Sequence, residues 1–341
     1  MVTSRQLRGA FVSLQPVISA VEPSTGVEGG TIVIFGTGFL SGGIPALVFL
    51  GETEVRPLIL TNTRLVLPIP PDARSGPITL MIDSQRISSS FTIGEKVAAD
   101  LHPVANPVID TEGAIYTTIS GRRGQKIDVP LVRITPAGVV EPLPGSPINP
   151  TGLALHPDGS LFISSRYEGS VYRLHPTGDM EVIARDLGIA TGLCLDEAGV
   201  LYIGDRTGTV YRLPPGGRPE PFASLPASVA AFHLAPGPGG YLFATTPTLS
   251  NEDVIYRINR FGDAEPYWGP LERPQGLAFD RQGHLWVAAG IRGQRGIYRF
   301  ERPEPPRLTV TGANLVGLAF GPEQHLILAS TAAIFRVPPL A

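Results

Sequence analysis

The chain has 341 residues, 43% hydrophobic and 17% charged, which allows a large core, excludes a disordered chain and suits two domains. Its formal net charge of -3 gives no bulk attraction to nucleic acid or to an anionic membrane, so any charge-driven binding must come from a local patch. The 40 glycines and 35 prolines recur between short apolar runs, a pattern of many turns and short strands.

Residues 1–15 read as an N-terminal tail. They contain Arg5 and Arg8 but no apolar stretch long enough for a signal peptide. No run of about 18 apolar residues occurs, so no transmembrane helix is expected. The chain reads as soluble, cytoplasmic as written or extracytoplasmic had a leader been removed.

Residues 16–94 alternate short apolar runs with Gly and Pro, as in PVISAVEPSTGVEGGTIVIFGTGF and SGPITLMIDSQRISSSFTIG. This predicts an immunoglobulin-like sandwich of about seven strands. A short joint, Ile93 to Lys96, leads into residues 96–341. No segment of the chain keeps a helical period over about 11 residues.

The second region repeats. Its clearest copies are GLALHPDGSLFISS from Gly152, GLCLDEAGVLYIGD from Gly192, GLAFDRQGHLWVAA from Gly276 and GLAFGPEQHLILAS from Gly317. Looser copies start at Asn106 and Ala231. The turn positions Gly113, Gly159, Gly199, Gly240, Gly283 and Gln324 are 46, 40, 41, 43 and 41 residues apart. Each copy is followed by a motif of the VYRL type, with Arg133, Arg173, Arg212, Arg257, Arg299 and Arg336. Four short runs repeated six times predict a six-bladed β-propeller. An arginine present in every blade is explained by what every blade must do, which is to pack. The sixth copy lacks a fourth run. Lys96–Asp100, which echoes Val182–Leu187, should supply it, with Val97–Ala99 pairing with Ala333–Val337, because an open ring leaves a free strand edge.

No complete catalytic constellation appears. The lone cysteine, Cys194, sits in an apolar run and reads as a buried small hydrophobe. The six histidines show no metal-binding spacing; His156, His284 and His325 fall at the same blade turn, where a solvated or locally bonded role is expected. The Gly-rich stretches at Gly36 and Gly237 lack a following Lys-Ser/Thr, and Gly-x-Ser-x-Gly is absent.

Residues 16–94 resemble the IPT/TIG domain through Pro16, Ile18, Val21 and Pro23, the run Gly29-Gly30-Thr31, and Gly36, Gly38, Phe39, Gly51, Pro68, Gly76 and Phe91. The resemblance implies a spacing, dimer-contact or binding role. Residues 96–341 resemble NHL-repeat and SMP-30/gluconolactonase propellers. That likeness implies a divalent metal over the channel, but the matching ligand positions hold Ala105, Thr151 and Gln275, a donor set too poor for a hard cation. The expectation is therefore a binding or scaffold protein with no catalytic residue, metal or cofactor, and a lactone hydrolase is the alternative. Its ligand or partner, a protein or glycan and possibly anionic, would sit on the propeller's top face. There the inner-strand starts place Thr151, Thr191 and Gln275, and the connections between second and third strands bring Arg122, Arg123, Arg166, Arg206 and Arg292. Converging guanidinium groups suit carboxylate, phosphate or sulfate. The alternative is that each arginine pairs with a local acid, such as Asp205 beside Arg206 or Glu168 near Arg166.

Overall fold

A computed structural model describes residues 15–41, 44–71 and 73–340. The structure has two compact units, one ending at Ile93 and one starting at Gly94. The N-terminal tail expected for residues 1–15 falls almost wholly outside the described residues.

The first unit is built from two four-stranded sheets. One orders Val17–Glu22, Thr31–Thr37, Arg64–Pro68 and Ile59–Leu60; the other orders Gln85–Ser89, Ile78–Ile82, Leu47–Leu50 and Thr53–Glu54. Alternation along the strands sends Ile32, Ile34, Leu65 and Leu67 of one sheet and Val48, Leu50, Ile78 and Leu80 of the other into a single core, with Phe39 fully buried among them. Gly36 is required here, because a Cβ would stand 2.0 Å from the Val17 carbonyl oxygen and 2.4 Å from the Phe39 ring.

The second unit is a six-bladed propeller, each blade an antiparallel four-stranded sheet. The innermost strands are Val108–Ile109, Pro150–Leu155, Ala190–Leu195, His233–Gly237, Leu277–Phe279 and Leu315–Phe320 of blades 1 to 6. Short apolar strands explain the architecture: a blade buries both faces only by stacking on its neighbours. Accordingly Leu161–Ser165, the second strand of blade 2, is buried throughout. Among the described residues the only helical turn is the 3-10 stretch Pro238–Gly240.

The ring closes through the chain start of this unit. Glu95–Ala98 pairs antiparallel with Ile334–Val337, in the register Glu95↔Arg336, Lys96↔Phe335 and Ala98↔Ile334. The strand starts two residues earlier than Val97, and a one-residue bulge breaks the register between Lys96 and Ala98.

Candidate functional site

Inner strands of neighbouring blades meet at the ring axis on glycine. A Cβ on Gly152 would lie 2.1 Å from the Thr191 carbonyl oxygen, and one on Gly192 would lie 2.5 Å from that of Phe232. Blades 1 and 4 carry Asn106 and His233 in the glycine place, and these two side chains reach the axis. Asn106 ties the ring together: its Nδ2 donates to the Leu277 carbonyl at 3.0 Å, and its Oδ1 accepts from the Leu318 amide at 3.1 Å. His233 is 2% exposed and its Nε2 has no hydrogen-bond partner. Burial pushes the His233 pKa down to about 4, with the neighbouring Gln275 side chain opposing the shift. About 10 Å³ of space remains beside His233 and Asn106.

On one face, each connection between second and third strands bonds back to the start of its own inner strand. The Arg166 amide donates to the Asn149 carbonyl at 3.3 Å, and the Arg206 amide donates to the Ile189 carbonyl at 3.2 Å. This brings the Arg166 and Arg206 connections beside the starts of their inner strands.

The polar residues at those starts behave differently from the arginines. Thr151 and Thr191 are each 1% exposed. The Thr151 hydroxyl donates to the Asn149 carbonyl at 3.3 Å. The Thr191 hydroxyl donates to the Gly204 carbonyl at 3.1 Å and accepts from the Phe232 amide at 3.0 Å, pinning blade 3 to the entry of blade 4. Neither hydroxyl is offered to a ligand. Gln275 is half-buried, with its side chain beside His233 and its carbonyl accepting from the Thr245 hydroxyl at 2.6 Å.

Arg166 and Arg206 are half-buried and, among the described residues, neither forms an ion pair with a carboxylate. The Arg166 guanidinium donates to the Gly121 carbonyl at 3.0 Å, and that of Arg206 donates to the carbonyls of Ser228 and Val229. Burial first, and then the charge of Arg206, lower the Arg166 pKa, so the two cations sense one another. Their sequence neighbours are engaged elsewhere. Asp205 accepts from the Ile189 amide at 2.8 Å and from Thr207, and Glu168 accepts from the Ile148 amide at 3.1 Å. The alternative of pairing with the neighbouring acid is thus corrected for both arginines: those carboxylates are satisfied by backbone amides. Arg122 is exposed, in a connection held by the Asn149 side chain, whose Nδ2 donates to the Gly121 and Arg122 carbonyls at 2.9 Å each. Exposed Arg292 occupies a hairpin turn with φ 52°, followed by Gly293 at φ 77°. Exposed Tyr167, Val229 and Leu249, missed by the sequence reading, share this face; only their lack of a repeat counterpart could have drawn attention to them.

The metal places do not fit a metal. Ala105 is apolar and buried, and the Thr151 hydroxyl is already bonded to backbone. Among the described residues, no three side chains of His, Cys, Asp and Glu converge.

Residues 16–93 match the family model of the IPT/TIG domain. That segment is an IPT/TIG domain. No curated protein matches the chain in sequence. Solved structures do share its fold. A protein assigned as a gluconolactonase aligns with a TM-score of 0.57 and 20% identity, over 71% of this chain and 90% of that one. An auxiliary nutrient binding protein from Bacteroides thetaiotaomicron aligns at 0.53 and 13%, over 94% of this chain and 97% of its own. A catalytically inactive histidine-to-alanine variant of virginiamycin B lyase from Staphylococcus aureus, with quinupristin, aligns at 0.52 and 14%, over 96% and 99%. At these identities the likeness shows the fold alone, a β-propeller.

Proposed function

We infer that this is a non-enzymatic binding or scaffold protein, and that blades 1 to 3 of the propeller present a cationic surface to an anionic partner such as an acidic glycan. The observation that carries this reading is the pair Arg166 and Arg206, half-buried cations on adjacent blades whose hydrogen bonds go to carbonyls and not to carboxylates. Carbonyls orient a guanidinium without neutralising it, so its charge remains available to a ligand. The exposed Tyr167 ring beside Arg166 adds a flat surface for a sugar. The lactone-hydrolase alternative is disfavoured by the donor set at Ala105, Thr151 and Gln275. A nutrient-binding protein among the structures sharing the fold agrees with a binding role.

Heparin, as a sulfated glycan, tests the reading. Binding measured at low ionic strength should fall steeply with salt, and Arg166→Ala/Arg206→Ala should weaken it at least tenfold in a variant that remains folded. Absence of heparin binding, or identical binding by the double variant, would overturn it.

A further inference from the structure

The six spaces between blades are not filled alike. Five residues before the inner-strand positions Asn106, Gly192 and Gly276 stand Leu101, Leu187 and Leu271, with exposures of 8%, 2% and 0%. Each packs into the apolar cluster shared by its blade and the preceding one. Buried Pro147 takes the same place before Gly152, and Leu225 fills the space in the longer connection before blade 4. Before blade 6 the place is Gly312. The missing side chain coincides with a cleft of about 140 Å³ between blades 5 and 6, floored by Gly290, Gly296 and Gly312.

The cleft's rim is charged, and its acid is held in place. Glu272 pairs its backbone with Gly290 in both directions, at 2.8 and 2.9 Å, and its Oε1 accepts from the Gly293 amide at 2.9 Å. The carboxylate is therefore held over the floor, where a Cβ on Gly290 would come 2.9 Å from Oε2. Arg273 and Arg295 also line the cleft, and among the described residues neither forms an ion pair with a carboxylate. Arg273 has φ 45°, in the left-handed region; Asn149 and Asn314 hold the corresponding places in blades 2 and 6 at φ 50° and 53°. Asparagine tolerates that conformation far better than arginine does, and unfavourable backbone conformations of this kind gather where a side chain must be aimed.

We propose that this cleft binds a small hydroxylated carboxylate. Arg273 and Arg295 take the carboxylate oxygens, and Glu272 accepts from a hydroxyl that a plain carboxylate lacks. The site is distinct from Arg166 and Arg206, and either can fail without the other. The probes are L-tartrate and succinate, which share a carbon skeleton and differ in hydroxyl groups. Calorimetric titration of the full chain at low ionic strength should show tartrate binding at least tenfold tighter than succinate. Arg273→Ala/Arg295→Ala should lose at least tenfold of the tartrate affinity. Gly312→Leu restores the plug that other blades carry, and it should abolish tartrate binding while leaving the melting temperature unchanged or higher. Heparin binding through Arg166 and Arg206 should persist in both variants. No tartrate binding by the parent, equal affinity for succinate, or undiminished binding by folded Gly312→Leu would each overturn the proposal.

Discussion

Arg336 Nη1 lies 3.7 Å from Glu95 Oε2, across the seam where the last blade is closed. The same cross-strand register recurs as Arg133↔Glu141, Arg173↔Glu181, Arg212↔Glu220 and Arg257↔Glu265. The closing strand thus brings the acid that a blade's own fourth strand brings elsewhere. In blade 2 the register holds but Arg173 bonds Asp158 instead, while Glu181 meets His175; blade 5 departs in the register itself. Arg299 there faces Arg307, and its partners are instead Glu301 at 3.5 Å and His284 at 3.1 Å. The repeated arginine is a packing and pairing element of the blade, and its guanidinium lies over aromatic rings such as Phe162, Phe222 and Trp286.

Closure should depend on packing more than on that ion pair. Glu95 is largely exposed, so Glu95→Ala should change stability by less than about 1 kcal/mol. Leu101 follows the closing strand into the cluster with Ile115 and Ile334, and Leu101→Ala should cost about 2–5 kcal/mol. Deleting residues 95–101 should lower the melting temperature further than either. Equal losses for Glu95→Ala and Leu101→Ala in urea titrations would refute this ordering.

The propeller was legible because every blade solves the same problem with the same residues. Even the exception reads correctly: Gln324 has φ 61°, in the turn place where Gly113, Gly159 and Gly199 have φ 85°, 85° and 77°. The closing strand was legible from its echo of Val182–Leu187, although the bulge that sets its register was not. The site was legible only in part. The arginines could be placed on one face by counting strands, but where a hydroxyl or carboxylate spends its hydrogen bonds depends on the neighbouring blade. Thr191 therefore resembled a ligand group, and Asp205 resembled a partner for Arg206. Gly312 was invisible because the cleft arises from a missing side chain, found only by aligning positions ahead of the recognisable motif. Asn106 and His233 hid in the two looser copies.

Thr191 serves the fold. Thr191→Val keeps the shape but removes both of its hydrogen bonds, leaving the Phe232 amide unsatisfied in a buried place. The loss should be about 1–3 kcal/mol. Heparin binding by the folded variant should match the parent; a tenfold loss with unchanged stability would make Thr191 a ligand contact after all.

Cys194 is 7% exposed, and burial pushes its thiol pKa up, so the nucleophilic thiolate is scarce. Ellman's reagent should leave the native chain unmodified over minutes and react with one thiol per chain in denaturant. Rapid reaction of the native protein would show that the inter-blade cluster containing Cys194 opens readily.

His233 makes stability depend on pH. Its folded pKa of about 4 lies below the ordinary histidine value of 6.5, so between these values the unfolded chain binds the proton and the folded chain does not. Stability must then rise with pH across that window: it is fully present above pH 6.5 and is lost as pH falls toward 4. A shift of that size corresponds to about 3 kcal/mol, all from one fully buried ring at the axis. Asn106 shows that an amide can occupy the equivalent place in the opposite blade, so His233→Asn is a conservative way to remove the titration. Urea unfolding at pH 4.5 and 7.5 should show the parent losing most of this stability at the lower pH, and the variant losing much less. Equal losses in parent and variant would assign the acid sensitivity to other groups and leave His233 a passive filler of the channel.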